Sequence, residues 1–109
     1  MKIHQLSDMV RGWFVGAFSP AALQTGDVEV GVKRYPAGAS EEAHYHKIAT
    51  ELTLILEGTA EINGQRFEAG TIITAEPGEV ISFRTLTAVI AVVVKHPGAL
   101  GDKFPATGP

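Results

Sequence analysis

Hydrophobic and polar residues alternate along most of the chain with a period of two, which is typical of β-strands that bury one face. Between residues 28 and 33, for example, three valines alternate with Glu29, Gly31 and Lys33. Glycine, proline, asparagine and aspartate separate the short alternating segments. The pattern predicts strands over 12–18, 28–33, 42–47, 51–57, 60–62, 65–67, 71–75, 80–84 and 87–96.

Two local signals refine this pattern. Asn63-Gly64 lies between two short strand segments and predicts a two-residue hairpin turn, because both central positions of that turn need a positive φ. Ser19 and Pro20 predict the start of one short helical turn over Ala21 to Gln24, with Ser19 as its N-cap. Roughly eight short strands joined by tight turns predict an all-β sandwich or barrel.

Segments 51–57 and 87–96 are apolar on both faces, whereas a strand with one face in water should alternate cleanly. Both faces must therefore be covered by a second sheet, a terminal segment or another subunit. We take this as an indication of a homodimer. The core is expected over about 28–96, and 97–109 is expected to be a loop or tail, because it contains three prolines and three glycines.

The length of 109 residues fits one domain, and 45% hydrophobic with 19% charged residues is ordinary globular composition. A net charge of −3 gives no reason to expect binding to nucleic acid or to an anionic membrane. The absence of cysteine excludes disulfides and thiolate chemistry. Without a recognisable secretory signal or a long apolar run, we expect a cytoplasmic protein that does not enter membranes.

The candidate chemistry lies in three residues, His44, His46 and Glu51. Two histidines two positions apart on a strand face the same side, about 7 Å apart along it. Glu51 follows His46 at an odd offset and would face away on one continuous strand. A turn through residues 48–50 would place it on the neighbouring antiparallel strand, so that its carboxylate can face the same cavity.

Two imidazoles and a carboxylate form a metal site in ligand type, suited to a divalent ion such as Fe, Mn, Zn or Ni. Three protein ligands leave positions open for water or substrate, as in catalytic sites. Because both histidines must be neutral to bind, metal affinity is expected to fall in acid. A His-X-His pair by itself is as easily two surface histidines as a metal site. The spacing of the residues around the pair therefore decides between these two interpretations.

That spacing resembles the first conserved motif of the cupin superfamily at each fixed position: Gly38, His44, His46, Glu51 and Gly58. Gly70, the Pro77-Gly78 turn and the strand at 80–84 are similar to the second cupin motif, so the likeness spans about residues 28–96. The resemblance implies a double-stranded β-helix, a jelly-roll-like barrel of two antiparallel sheets with metal ligands pointing inward.

The second motif is imperfect, because Glu76 and Ile81 stand where the family has a proline and a fourth, histidine ligand. Either the three remaining ligands suffice and form a facial triad, as in non-haem iron oxygenases, or the site is vestigial. The intact triad favours retained metal binding. Glu79, two residues before Ile81, is an alternative fourth ligand or a solvated turn residue.

Around the metal we expect a mostly apolar pocket for a small molecule. Arg34 continues the valine face of its strand, and we include it among the expected lining residues at the mouth of the barrel, where it would pair with an anionic ligand. The alternative is that its charged group extends into water, as is usual for an arginine at the end of a strand. The other expected lining residues are Thr53, Ile55, Ile81 and Phe83.

Fold alone does not select a function, because one barrel hosts many activities. The first hypothesis is a metal-dependent enzyme, of oxygenase or isomerase type, acting on a small organic molecule. The second is a non-catalytic module that binds or senses a small molecule. The third is a dimeric cupin whose metal site is vestigial.

Overall fold

The computed structural model describes residues 1–106, in which eleven strands form two sheets that enclose the core. Two short 3-10 turns, Leu6–Asp8 and Val10–Gly12, precede the first strand. The strands are β1 (Trp13–Gly16), β2 (Leu23–Gln24), β3 (Glu29–Tyr35), β4 (Ser40–Tyr45), β5 (Thr50–Glu57), β6 (Thr59–Ile62), β7 (Gln65–Glu68), β8 (Ile72–Ala75), β9 (Ile81–Thr85), β10 (Val89–His96) and β11 (Phe104–Pro105).

The six-stranded sheet has the order β2-β1-β3-β10-β5-β8, and the five-stranded sheet has the order β11-β4-β9-β6-β7. Neighbouring strands pair antiparallel, apart from β1 with β2, which are parallel. Non-consecutive neighbours such as β3 and β10 show that the chain crosses repeatedly between the sheets. This topology agrees with the expected double-stranded β-helix.

Alternate residues of the strands meet between the two sheets and form one apolar core. Because side chains of a strand point alternately to its two faces, each central strand contributes a row of inward residues. Glu51, Thr53 and Ile55 form such a row on β5, and its inner end is fully buried. The buried core cluster consists of Ile55, Ala60, Ile62, Phe83, Val89 and Ala91.

The predicted hairpin is confirmed at β6 and β7. Asn63 and Gly64 connect these strands with φ values of 51° and 78°, the left-handed conformation that the turn requires. Gly58, the last glycine of the predicted metal motif, also has a left-handed φ of 90°. A side chain there would meet the backbone carbonyl of Ala88, so the position needs glycine for space as well.

The short helix predicted over Ala21 to Gln24 is wrong. Its last two residues form β2, which adds to the edge of the six-stranded sheet. Two backbone bonds anchor it: Ala22 N–H donates to the Phe14 carbonyl at 2.7 Å, and Thr25 N–H donates to the Gly16 carbonyl at 3.1 Å. Four residues gain little from helix formation, so pairing with β1 prevails.

The expected C-terminal loop or tail, 97–109, contains one further strand. β11 pairs with β4, with Phe104 opposite Tyr45 and Pro105 opposite His44. The last three residues of the expected tail, 107–109, lie outside the described part of the chain. The segment after β10 thus covers the strand that carries His44.

The outward face of the six-stranded sheet is apolar across four neighbouring strands. The register of the strands places apolar residues of this face opposite one another, as in the row formed by Val32, Val92 and Leu54. Part of this face is well exposed, with Leu52, Leu56 and Ile72 at 38%, 55% and 62%. We call it the outer apolar face, and it comprises Val30, Val32, Leu52, Leu54, Leu56, Ile72, Ile90, Val92 and Val94.

Across residues 1–106, no helix has the length and apolar character needed to cross a membrane.

Candidate metal centre

Two histidines enter the barrel from the end of β4. His44 lies on β4, and His46 is the first residue after it, so both face the same side of the extended chain. Their side chains are almost fully buried. The two rings are nearly perpendicular, at 89°, with centroids 5.5 Å apart. The pair therefore presents two imidazole edges to one region of the interior.

Glu51 reaches the histidines from the other sheet. The prediction that it lies on the neighbouring antiparallel strand was wrong, because β4 and β5 belong to different sheets. Alternation along a strand gives the direction of a side chain but not the partner of the strand. The chain crosses between the sheets through residues 46–49, and Glu51 then points back toward the histidines.

The three side chains nevertheless converge, as the sequence predicted. One potential ligand atom from each of His44, His46 and Glu51 can be chosen so that all lie within 4.8 Å of one another. Nε2 of His46 lies 3.6 Å from Oε2 of Glu51. That distance is too long for a hydrogen bond, so the two groups are close without satisfying each other.

Asp102 holds the crossing segment in place. Its buried carboxylate accepts the backbone N–H groups of Lys47 at 2.8 Å, Ile48 at 3.0 Å and Ala49 at 2.9 Å. Burial alone would raise the pKa of Asp102, but these three donors outweigh it and hold the pKa below its ordinary value. This role could not be predicted from local sequence, because Asp102 lies more than 50 residues along the chain from the segment it holds.

The hydrogen bonds of the histidines leave one nitrogen of each directed at the site. Nδ1 of His44 lies 2.9 Å from the backbone carbonyl of Glu42. A carbonyl only accepts, so Nδ1 carries the proton and Nε2 keeps its lone pair, which is the usual arrangement for a metal-binding histidine. Nε2 of His46 is buried and has no hydrogen-bond partner among the described residues. A buried nitrogen without a protein partner is free to serve as a metal ligand.

Burial also sets the charge of these groups. It lowers the pKa of His46 to about 4, with the positive charge of Lys95 adding to the effect. Burial raises the pKa of Glu51 above its ordinary value, although Lys95 acts in the opposite direction. At neutral pH His46 is therefore unprotonated, as a metal ligand must be.

Comparison with solved structures identifies the fold. A Klebsiella pneumoniae protein described as an uncharacterized conserved protein with a double-stranded β-helix domain has a TM-score of 0.73 and 25% identity, over 98% of this chain and 93% of that one. A cupin-2 domain protein from Shewanella frigidimarina has a TM-score of 0.57 and 16% identity, over 66% of this chain and 72% of that one. The chain has the cupin fold.

An enzyme is among the structures that share this cupin fold. DMSP lyase DddQ from Ruegeria pomeroyi has a TM-score of 0.73 and 21% identity, over 89% of this chain and 52% of its own, so the chain spans about half of DddQ. At this identity the likeness concerns the fold alone. No protein-family model and no curated protein matches the sequence.

Ile81 occupies the place where the resemblance implies a fourth ligand. It lies directly opposite His44 in the pairing of β4 with β9, and its side chain lines the cavity. Glu79, considered as a substitute, is exposed, and its carboxylate accepts the N–H of Glu76 at 2.9 Å. The site thus offers three side-chain ligands and an apolar wall where the fourth would be.

A cavity of about 350 Å³ lies beside the triad. Of the residues expected to line it, Thr53, Ile81 and Phe83 do so. Ile55 does not, because it lies one inward position further along β5 and is fully buried in the core. The cavity is therefore shorter at its inner end than the sequence suggested.

The expectation that Arg34 lines the cavity was wrong, because its side chain is exposed on the outside of β3. The inward residues of this strand include Gly31 and Lys33, which lie opposite the cavity residues Val93 and Ala91 of β10. Alternation in the sequence identified two faces of β3 correctly but not which one is internal. The valines belong instead to the outer apolar face.

Sequence reasoning missed several polar residues of the cavity wall. A register shift in β4 turns Glu41 to the same side as His44, an effect that simple alternation does not reveal. The Tyr35 hydroxyl donates to Oε1 of Glu41 at 3.0 Å. Burial, followed by the negative charge of Glu41, raises the pKa of Tyr35 well above its ordinary value. The tyrosine therefore stays protonated at neutral pH.

Proposed function

We propose that this cupin binds one divalent metal ion through Nε2 of His44, Nε2 of His46 and the carboxylate of Glu51, and that the adjoining cavity takes a small organic molecule. The observation that carries the proposal is the convergence of these ligands around a buried nitrogen that lacks a partner. The ion is one of Fe, Mn, Zn and Ni, which suit a site of two imidazoles and one carboxylate.

Each residue of the site has a definite part in this proposal. The Glu42 carbonyl fixes the ring of His44, and Asp102 fixes the crossing segment between His46 and Glu51. A bound divalent ion would supply Lewis acidity and open coordination positions to a ligand in the cavity. Ile81 keeps one side of the site apolar, so water has fewer partners there.

We favour a metal-dependent enzyme over a binding module, because the cavity wall carries a tyrosine hydroxyl and a carboxylate that can orient a bound molecule by hydrogen bonds. The Tyr35 hydroxyl and the Glu41 carboxylate are hydrogen bonded to each other and both line the cavity. DddQ, which shares the fold, is a lyase. A non-catalytic module that binds a small molecule, or a cupin with a vestigial site, would not require this pair.

Metal binding can be tested on protein purified without chelator or affinity tag. We expect elemental analysis to find about one ion per chain, and His44→Ala to lose it, since removing a ligand of a metal site typically lowers affinity by at least about 100-fold. His4→Ala is the matched control, because His4 is exposed and outside the site. A wild-type protein that neither contains nor takes up Mn²⁺, Fe²⁺, Zn²⁺ or Ni²⁺ would support the vestigial alternative.

Activity separates the two remaining functions. Metal-dependent turnover of a compound in a metabolite panel, lost in Tyr35→Phe with metal content unchanged, would support the enzyme. Ligand-induced thermal stabilisation without turnover of the stabilising compounds would instead support the binding module.

A homodimer formed through the outer apolar face is a further part of the proposal. The centre of this face, at Val92 and Leu54, has only apolar neighbours on the adjoining strands, and such a surface is self-complementary about a twofold axis. Isolated exposed apolar residues are ordinary, but a continuous patch over four strands favours a partner. We commit to a second copy of this chain as that partner.

Sedimentation velocity tests the dimer directly. We expect the wild type to sediment as a dimer and the double variant Leu52→Glu/Leu56→Glu as a folded monomer, because like charges would face each other across the interface. Val80→Glu is the control, since Val80 is exposed but lies outside this face. A monomeric wild type at about 100 μM, far above the Kd of a stable dimer, would refute the proposal.

A further inference from the structure

Two lysines and a tryptophan form one unit on the six-stranded side of the cavity. Lys33 of β3, Lys95 of β10 and Trp13 of β1 lie on three neighbouring strands. Trp13 is opposite Gly31, and a Cβ added at that glycine would approach the indole ring to 2.7 Å. The missing side chain of Gly31 thus leaves the space in which the ring lies on the strand.

The tryptophan ring holds both ammonium groups near the cavity. Nζ of Lys33 is 5.3 Å and Nζ of Lys95 is 5.0 Å from the ring centroid, both within cation–π range. An aromatic ring attracts a cation without neutralising it. The two lysines are therefore positioned while they keep their charge.

Lys33 has no close carboxylate partner among the described residues, and the carboxylate near Lys95 is that of Glu51. Lys33 donates to the backbone carbonyl of Arg11 at 3.1 Å, and among residues 1–106 no carboxylate oxygen lies within 4.0 Å of its Nζ. Lys95 is 3.9 Å from Oε2 of Glu51, the group proposed to bind the metal. Once Glu51 is committed to a metal ion, less of its charge is available to Lys95.

The cavity wall has a net positive charge, although the net charge of the whole chain is negative. It contains four of the nine lysines and arginines but only two of the twelve acidic residues, which leaves two positive charges in excess. The whole chain carries −3. The four cations are Arg11, Lys33, Lys95 and Lys103, and the two carboxylates are Glu41 and Glu51.

The surroundings of Lys33 show how closely these cations are placed. Burial lowers the pKa of Lys33, and although Glu41 acts in the opposite direction, the positive charges of Arg11, Lys95 and Lys103 lower it further. A proposed divalent ion would add to this excess of positive charge. The arrangement calls for a negatively charged group from outside the chain.

We propose that the cavity selects small carboxylates, with the ligand's carboxylate held by Lys33 and Lys95 and its carbon skeleton packed on the apolar wall formed by Ile81 and Phe83. This rests on the proposed function, since it assigns a ligand class to the same cavity. A cavity of about 350 Å³ is at the small end of sites for organic ligands, which limits the ligand to a compact acid.

Calorimetry with paired probes tests the proposal. Succinate and benzoate are compared with their uncharged amides, succinamide and benzamide, on metal-free and Mn²⁺-loaded wild-type protein. We expect both acids to bind and the amides to bind at least about tenfold more weakly, because the amides lack the charge that the lysines recognise. Carboxylate affinity should also fall with added salt.

Lysine variants assign the effect to these residues. Lys33→Met keeps an apolar stem against Trp13 and should weaken carboxylate binding about tenfold, whereas Lys33→Arg should retain most of it. Lys2→Met is the control, because Lys2 is exposed and does not line the cavity. Lys33 is the more informative of the two lysines, because Lys95 approaches the metal ligand Glu51.

The outcomes separate this proposal from the metal proposal. Equal binding of acids and amides, an unchanged affinity in Lys33→Met, or no binding of either acid in either metal state would overturn carboxylate selection. Mn²⁺ uptake, titrated separately in wild type and Lys33→Met, reports on the metal site alone. A protein that takes up no metal but still prefers acids through Lys33 would refute the metal site and retain the carboxylate site.

Discussion

The two ends of the barrel interior are built on the same strands but differ in how well their groups are satisfied. On β5, Glu51 and Thr53 line the cavity, whereas Ile55, one inward position further, is fully buried in the core. On β10, Lys95 and Val93 line the cavity, and Val89 lies in the core at the other end of the strand. A shift of a few residues along one strand thus changes the environment from polar to apolar.

We call the end of the interior that contains Ile55 and Val89 the closed end, and the end that contains the cavity and Glu51 the open end. The closed end stabilises the folded protein, and the open end destabilises it. Burial of apolar side chains without polar atoms is favourable and leaves nothing unpaired. At the open end, Nε2 of His46 is buried without a partner, and burial opposes the charged form of Glu51. Buried polar groups without partners are typical of functional sites, where a bound ligand supplies the partner. This is the physical reason for assigning function to the open end.

Among the variants that test this difference between the two ends, we expect the largest loss of stability at Ile55. Ile55→Ala should lower the free energy of unfolding by about 2–5 kcal/mol, because it removes three carbons from a fully buried position and leaves a cavity. Urea unfolding of metal-free protein measures the change. Leu23→Ala is the matched control, since Leu23 is 59% exposed at the sheet edge and should cost less than about 0.5 kcal/mol. Equal costs for the two variants would contradict the contrast.

The strand pattern was largely predictable from the sequence, although Ile55 was placed in the cavity and not in the core. Alternation located every strand of the central barrel, and Asn63-Gly64 fixed one hairpin. The local chemistry of the site was predictable too, because His44 and His46 lie on one short segment. These features depend on neighbouring residues, where the period of a strand and the needs of a turn are sufficient.

The features that could not be predicted depend on contacts between residues that are far apart in the sequence. Which face of β3 is internal follows from its pairing with β10, so Lys33 and not Arg34 reaches the cavity. Glu41 faces inward because of a register shift, and Asp102 acts on a segment far from it in the chain. An apolar outer face makes the inner and outer patterns alike, which removes the signal that would have distinguished them.

The second largest effect that we expect is a pH dependence of the free energy of unfolding, which arises from His46 at the open end. In the folded, metal-free protein the pKa of His46 is lowered to about 4 from an ordinary value of 6.5. Between these values the unfolded chain binds a proton that the folded chain does not, so stability falls as the pH falls from 7 to 4. The full shift corresponds to a loss of at most about 3 kcal/mol.

Glu51 opposes part of this loss. Its raised pKa means that the folded protein binds a proton more readily than the unfolded chain, which favours folding as the pH falls toward its ordinary value. Chemical denaturation at pH 7, 6, 5 and 4 measures the net slope. His46→Asn should flatten it, and His4→Asn, at an exposed position, should not. A wild-type slope unchanged by His46→Asn would show that the histidine is not buried in its neutral form.

The smallest effect on stability, and the most selective one, is expected at Asp102. Asp102→Asn keeps the size of the side chain but replaces one carboxylate oxygen by an amide NH2 group, which cannot accept, so one or two of the three N–H bonds from residues 47–49 are lost. We expect a loss of about 1–2 kcal/mol in the free energy of unfolding. Because this segment sets the position of His46 relative to Glu51, metal affinity should fall about tenfold, within the range seen for groups that orient ligands.

The readout that distinguishes positioning from simple destabilisation is the Kd for Mn²⁺ under conditions where all variants remain folded. Ile55→Ala serves as the comparison, since it should destabilise the closed end more while changing the Kd less. Asp27→Asn, at an exposed aspartate, should leave both quantities unchanged. If Asp102→Asn and Ile55→Ala weakened metal binding only in proportion to their loss of stability, Asp102 would be part of the general framework. The open and closed ends would then not be separable.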